Sequence, residues 1–211
     1  MEIVWLGHSC FRIRGKEATI VTDPFDKTLG YPVKKPTASI VTVSHQHPQH
    51  SNLGGIAGSP RVISRPGEYE IANVFINGIA TFHDGVRGEQ RGKNIVYNIQ
   101  IEEVSICHLG DLGHVPTAEQ IEQMSDVDIL LVPVGGGATI GATEAVETIS
   151  LLQPKLVIPM HFKTEAVRME LAPLEPFLKE MGVKESTSQP KLSVTKSSLP
   201  TETNVVVLDY K

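Results

Sequence analysis

Three of the chain's 8 histidines fall within one short stretch, Ser44-His45-Gln46-His47-Pro48-Gln49-His50-Ser51-Asn52. At this histidine frequency an H-x-H-x-x-H window arises by chance in about one chain in 100. Neutral imidazole nitrogens bind Zn²⁺ and related borderline ions, so the pattern points to a metal site; a polar loop of solvated histidines is the plain alternative. On extended backbone, residues two apart share a side, so His45 and His47 would converge. Pro48 would then turn the chain and bring His50 round to a neighbouring position.

Further ligands must come from elsewhere, and three candidates stand at the ends of strand-like runs. His83 follows Ala80-Thr81-Phe82, Asp111 lies in His108-Leu109-Gly110-Asp111-Leu112-Gly113-His114, and His161 follows Ile158-Pro159-Met160. Taken singly they read as a loop histidine, a turn aspartate and a histidine packed on an apolar strand. Taken together they describe donors gathered at one edge of a sheet, where sites are usually built. Asp23, before Pro24, is either a carboxylate orienting a ligand imidazole or a strand-ending turn. His8 reads first as a hydrogen-bonded core histidine and second as a cleft residue. His108 reads as a strand residue with a structural hydrogen bond, and His114 as exposed in its loop. Lys163 is either a cation for an anionic substrate or an ordinary surface lysine.

Other chemistries lack their residues. Gly136 to Thr143 spells G-x-x-x-x-G-A-T, and Ala142 stands where a phosphate-binding loop needs Lys. That loop still offers backbone N–H groups at a helix start. No G-x-S-x-G elbow supplies a serine nucleophile. Cys10 and Cys107 lie in apolar strand contexts and read as buried, inert thiols.

The elements that must position these residues change character along the chain. Strands are expected over 2–14, 19–22, 39–44, 67–71, 74–82, 94–101 and 104–109, separated by Gly, Asn and charged turns. Beyond them the pattern alternates: a helix over 117–124 capped by Thr117, a strand over 128–134, a helix over 143–152 stopping before Pro154, and a strand over 156–159. A helix is expected in part of 164–181, broken near Pro173 and Pro176, and a closing strand over 204–208. This order suggests sheets packed face to face with helices outside. The polar stretch 186–198 reads as a mobile segment within one domain.

With 211 residues, the chain has room for one domain. A net charge of −5 disfavours a general nucleic-acid surface, and no basic or aromatic groove is apparent. No leader pattern, lipidation motif or spanning-length apolar run is seen, so the expectation is a cytoplasmic protein, not a membrane one, with reduced thiols. Its partner would be a small-molecule substrate; oligomeric state is not legible.

Several stretches together resemble the metallo-β-lactamase superfamily, and among its branches the ascorbate-6-phosphate lactonase-like proteins. They are Trp5 to Phe11, Thr22-Asp23-Pro24-Phe25, His45 to His50, Pro66 to Glu70, His108 to His114, Val132 to Gly136 and Pro159 to Thr164. The resemblance implies an α/β fold, a four-layer αβ/βα sandwich in a single domain over 1–211. It implies that His45, His47 and His83 hold one metal, that His50 and His161 hold a second, and that Asp111 bridges the two and takes part in catalysis. Zn²⁺ suits this set, as one or two ions, and Mn or Fe is compatible. The activity implied is hydrolysis of an ester, lactone or phosphoester by a metal-bound hydroxide.

The family motif is H-x-H-x-D-H, and here Gln49 replaces the Asp. A glutamine offers a neutral carbonyl oxygen and no base. The expectation is a second metal that is weak, labile or absent while the first site survives. The alternative that follows is a non-catalytic metal- or ligand-binding member of the fold. Gly141 is a second departure, where relatives often carry an acidic residue.

Overall fold

The computed structural model describes residues 1–32 and 35–210. Two mixed sheets form the molecule. The first has β1 (Glu2–Gly7), β2 (Cys10–Arg14), β3 (Thr19–Thr22), β4 (Ile40–Thr42), β5 (Arg61–Ile63) and β12 (Leu192–Ser193), ordered β12-β1-β2-β3-β4-β5. The second has β6 (Gly67–Ile71), β7 (Val74–Phe82), β8 (Lys93–Ile101), β9 (Val104–His108), β10 (Ile129–Pro133), β11 (Leu156–Met160) and β13 (Asn204–Val205), ordered β13-β11-β10-β9-β8-β7-β6.

Alternation decides how the sheets meet. In the first sheet Ile3, Trp5, Phe11, Ile13, Ile20 and Ile40 join the core shared with the second sheet. Val4, Leu6, Cys10, Val21 and Val41 face the other way, into a separate apolar layer. Each such side chain gains roughly 1.5–3 kcal/mol by burial, and a one-residue slip would exchange the two sets, so the register is firmly fixed.

The helices are α1 (Ala118–Gln123), α2 (Ala142–Leu152) and α3 (Glu175–Glu180). Thr117 caps α1 through Gln120 N, as its sequence suggested. Among the described residues all three lie with the second sheet: α1 meets β7, α2 meets β10, and α3 packs on α2. Two sheets packed face to face with helices outside give the core of the αβ/βα sandwich, with one difference from four full layers. The outer face of the first sheet is covered by loops and a single 3₁₀ turn (Lys27–Leu29) bearing Phe25, Leu29, Tyr31 and Val167.

Other differences have local causes. The run 2–14 is a hairpin, because Gly7 (φ 115°) and His8 (φ 54°) turn the chain. The helix expected in 164–181 is confined to Glu175–Glu180, with Pro176 in its first turn, where its missing N–H costs nothing. β5 was not expected, since three residues beside Pro60 give no periodicity. The polar stretch 186–198 contains β12, paired antiparallel to β1, and the buried Val194.

Cys10 and Cys107 are buried and unpaired. Burial pushes both thiols well above their ordinary range, and for Cys10 the Asp23 carboxylate adds to it. An aromatic disulfide reagent is expected to titrate neither thiol in the native protein and both after unfolding; rapid native labelling would contradict this.

Candidate metal centre

Strand direction brings the candidate residues to one edge. In the first sheet β1, β3 and β4 run the same way; in the second, β7, β9 and β11 do. Their C-terminal ends deliver His8 after β1, Asp23 after β3, His45 to His50 after β4, His83 after β7, Asp111 after β9 and His161 after β11.

The focus is one carboxylate oxygen. Asp111 Oδ2 lies 3.2 Å from His50 Nε2, 3.4 Å from His83 Nε2 and 3.4 Å from His161 Nε2. Its Oδ1 accepts from Ser9 Oγ at 3.3 Å, and its backbone N–H donates to Asn94 Oδ1 at 2.9 Å. Asn94, in β8, also donates to Thr81 Oγ1 of β7 and to the Leu109 carbonyl, which fastens the Asp111 turn to these two strands. His45 packs against His50 and His83, with ring centroids 4.4 and 4.8 Å away. Three groups of donors have ligand atoms within 4.8 Å of one another: His45, His47 and His50; His45, His83 and Asp111; and His8, His50, Asp111 and His161.

The histidine turn departs from the extended geometry expected of it. His47 N–H donates to the His45 carbonyl (3.1 Å), and the N–H groups of His50 and Ser51 both donate to the His47 carbonyl (2.8 Å each). His45 and His47 thus converge through a tight turn. Gln49 N–H reaches His47 Nδ1 at 3.3 Å. Gly141, the second departure, caps α2 and donates its N–H to Glu144.

A network outside the donors holds them in place. Asp23 is fully buried; it accepts from Ser44 N (2.7 Å) and Ser44 Oγ (2.6 Å) and faces His50 Nδ1 at 3.0 Å. His45 Nδ1 lies 3.0 Å from Ser44 Oγ, and His83 Nδ1 lies 3.0 Å from the Ala138 carbonyl. Two glycines let the loops interlock. A side-chain carbon at Gly113 would collide with the backbone of His83 and Asp84, and one at Gly135 with the His161 carbonyl.

A family model described as a beta-lactamase superfamily domain matches residues 2–161. The chain belongs to that superfamily. This superfamily member is 31% identical over 199 residues to a protein of Pelotomaculum thermopropionicum named a UPF0173 metal-dependent hydrolase, covering 78% of this chain and 85% of the relative. A Thermoplasma volcanium protein of the same family name is 30% identical over 192 residues, covering 78% and 84%. Among solved structures, a Thermotoga maritima protein of the metallo-beta-lactamase superfamily, itself described as a proposed Zn-dependent hydrolase, superimposes with TM-score 0.83. It shares 42% identity, over 100% of this chain and 99% of the other. This superfamily member is a metal-dependent hydrolase.

Within its site the remaining expectations sort by contact. His108 is a strand residue with Nε2 2.8 Å from the Ser9 carbonyl, as read. His114 is half-buried, unlike the exposed residue expected, because its ring packs on Phe82 and accepts from Phe82 N–H at 3.4 Å. Lys163 donates to the Val167 and Met169 carbonyls (3.0 and 2.9 Å), so its ammonium braces its own loop. His8 differs most from the hydrogen-bonded core histidine expected. It is buried, yet neither ring nitrogen has a protein partner, and its ring packs tilted against His161, with centroids 4.0 Å apart. Ser9, Asn94 and Ala138 escaped sequence reasoning; only Asn94, a polar residue heading the apolar run Ile95-Val96-Tyr97, left a trace.

The electrostatics favour cation uptake. Burial lowers His45 to about 4, with help from the neighbouring His50, and lowers His8 strongly. Burial opposes the charge on Asp111, but His50 and His161 override it and hold the carboxyl well below its usual range. Burial would also lower His50, but Asp111 and Asp23 raise it to about 10. A raised imidazole contributes stability below its unfolded value of 6.5 and loses it as pH rises through about 10. Near pH 8, a cation taken up at His50 would have to displace a proton, whereas His45 would have none to give. Calorimetric Zn²⁺ titrations in buffers of different ionisation enthalpy should report release of about one proton per ion at His50; absence of any proton release would contradict the assignment.

Proposed function

We propose that this chain hydrolyses an ester, lactone or phosphoester of a small molecule with Zn²⁺ as its metal, Mn or Fe being the compatible substitutes. The observation that carries the reading is the convergence of three imidazole Nε2 atoms, from three separate strand-end loops, on Asp111 Oδ2. Imidazoles with one shared carboxylate suit a borderline divalent cation. The buried ring atoms His8 Nδ1, His8 Nε2 and His161 Nδ1, which lack protein partners, show that the donor set is unsatisfied by the protein alone.

In this reading His45, His47 and His83 hold one ion, His50 and His161 a second, and Asp111 lies between. Such cations supply Lewis acidity and lower the pKa of a coordinated water. The chain's residues do the rest. Asp23 fixes the His50 ring, Ser44 Oγ that of His45, and the Ala138 carbonyl that of His83. Gln49 is neutral and cannot take a proton near pH 7, and Asp111, held ionised by His50 and His161, contributes its negative charge to the centre.

The net charge of −5 supports a small substrate over nucleic acid, and the unpaired cysteines support a cytoplasmic setting. Among the described residues no helix is long and apolar enough to cross a membrane. The resemblance to ascorbate-6-phosphate lactonase-like proteins puts lactones first in the panel to try. Turnover of a lactone, ester and phosphodiester panel should fall by roughly 10³ or more after chelation and return with Zn²⁺. Turnover that survives complete removal of metal would defeat the reading.

A further inference from the structure

His8 is out of place as a structural residue. It occupies the turn between β1 and β2 with φ 54°, a conformation uncommon outside glycine. The turn is built to hold it there. The His8 carbonyl accepts from Trp5 Nε1 at 2.8 Å and from His161 N–H at 3.3 Å, and the next residue, Ser9, donates to Asp111. The ring is 1% exposed and leans on two other imidazoles, His161 at 4.0 Å and His50 at 5.0 Å between centroids. A buried neutral imidazole has one donor and one acceptor to satisfy, and here both ring nitrogens lack a protein partner. Packed against two other imidazoles, the His8 ring keeps a buried lone pair that no protein group satisfies.

His8, His50, Asp111 and His161 offer one donor atom each within 4.8 Å of one another, all four residues buried. We propose that His8 is a direct protein ligand of the second ion, making that site three imidazoles and one carboxylate. This deepens the metal-hydrolase reading and rests on it. It also revises the expectation drawn from Gln49: the turn after β4 loses an acidic donor, and the turn after β1 supplies an imidazole from across the site. With His8 the second group offers four protein donors, which would make up for the acid missing at Gln49, so the second ion should be retained as well as the first.

The test is metal stoichiometry after Zn²⁺ loading and gel filtration. The unmutated chain is expected to keep two ions. His8→Ala and His8→Phe should keep one, the second variant preserving ring volume without a donor, with thermal unfolding confirming that both fold. Gln49→Ala should keep two. For a readout free of mutation, ¹⁵N-labelled histidine rings are followed in the unmutated chain, where the His8 nitrogens should shift together with those of His50 and His161. Two ions in both His8 variants, a single ion in the unmutated chain, an unmoved His8 signal, or an ion lost only from Gln49→Ala would each overturn the proposal. A chain that binds no ion overturns it together with the hydrolase reading. Two ions that fall to one in the His8 variants, without turnover of any substrate, support the site and remove only the hydrolase reading.

Discussion

Asp111→Ala is expected to empty the centre of metal and to lower turnover by roughly 10³ or more, since the Lewis-acid contribution of such ions amounts to several kcal/mol. The size of the effect follows from position. One oxygen of Asp111 stands within 3.4 Å of three histidine nitrogens, and the residue belongs to donor groups on both sides of the site. No neighbouring carboxylate among those groups can replace it. The variant should also be less stable without metal, because His50 loses one of the two charges that hold it protonated; breaking a buried pair of this kind costs about 3–5 kcal/mol. Elemental analysis and steady-state rates check the first effect, and urea unfolding the second. Undiminished metal content in a folded Asp111→Ala chain would remove Asp111 from the centre.

Asp23→Ala should be the most damaging change outside the proposed ligands, because Asp23 holds one of them, His50, at 3.0 Å. Its carboxylate is the partner of Ser44 N–H, Ser44 Oγ and His50 Nδ1, all buried, and its loss strands them together. Removing one side of a buried charged pair costs about 3–5 kcal/mol, which should appear as a lower urea midpoint at unchanged slope. Asp23→Asn keeps the shape and loses the charge, so it should fold better than the alanine variant and lower metal affinity by about 10–100-fold. The acid side follows from the same contacts. Burial opposes ionisation of Asp23, but its bond and charge interaction with His50 prevail and hold its pKa below the ordinary aspartate value of 3.8. That contribution is present above pH 3.8 and is lost as pH falls through the lowered value. An alanine variant as stable as the parent would show the network to be dispensable.

Sequence reasoning reached the donors because each announces itself by type. A histidine or aspartate closing an apolar run, as His83, Asp111 and His161 do, is conspicuous in one dimension. The sheets were legible where alternation runs long, as in β7 and β8, and illegible at β5 and β12, two or three residues long and held by neighbours rather than by their own pattern. What the sequence hid at the centre was mostly satisfaction. Whether a buried histidine has a partner depends on atoms far away in the chain, so His8 and His108 look alike in sequence. Only the structure shows that His108 is bonded to Ser9 and His8 to nothing. Gln49 illustrates the same limit: a missing acid is visible in the motif, and an imidazole arriving from 41 positions earlier, at His8, is not.

The edge at which the strands end belongs to two sheets, and the donors divide between them. His8, His45, His47 and His50 follow strands of the first, while His83, Asp111 and His161 follow strands of the second. Any cation bridging them works as a clasp across the sandwich, and an unfolded chain offers no equivalent grip. Occupancy and folding then become one linked equilibrium: at a free concentration 1,000 times its dissociation constant, each ion adds about 4 kcal/mol to the folded state. The residues proposed for chemistry would double as the fastening that keeps the two halves of the molecule in register.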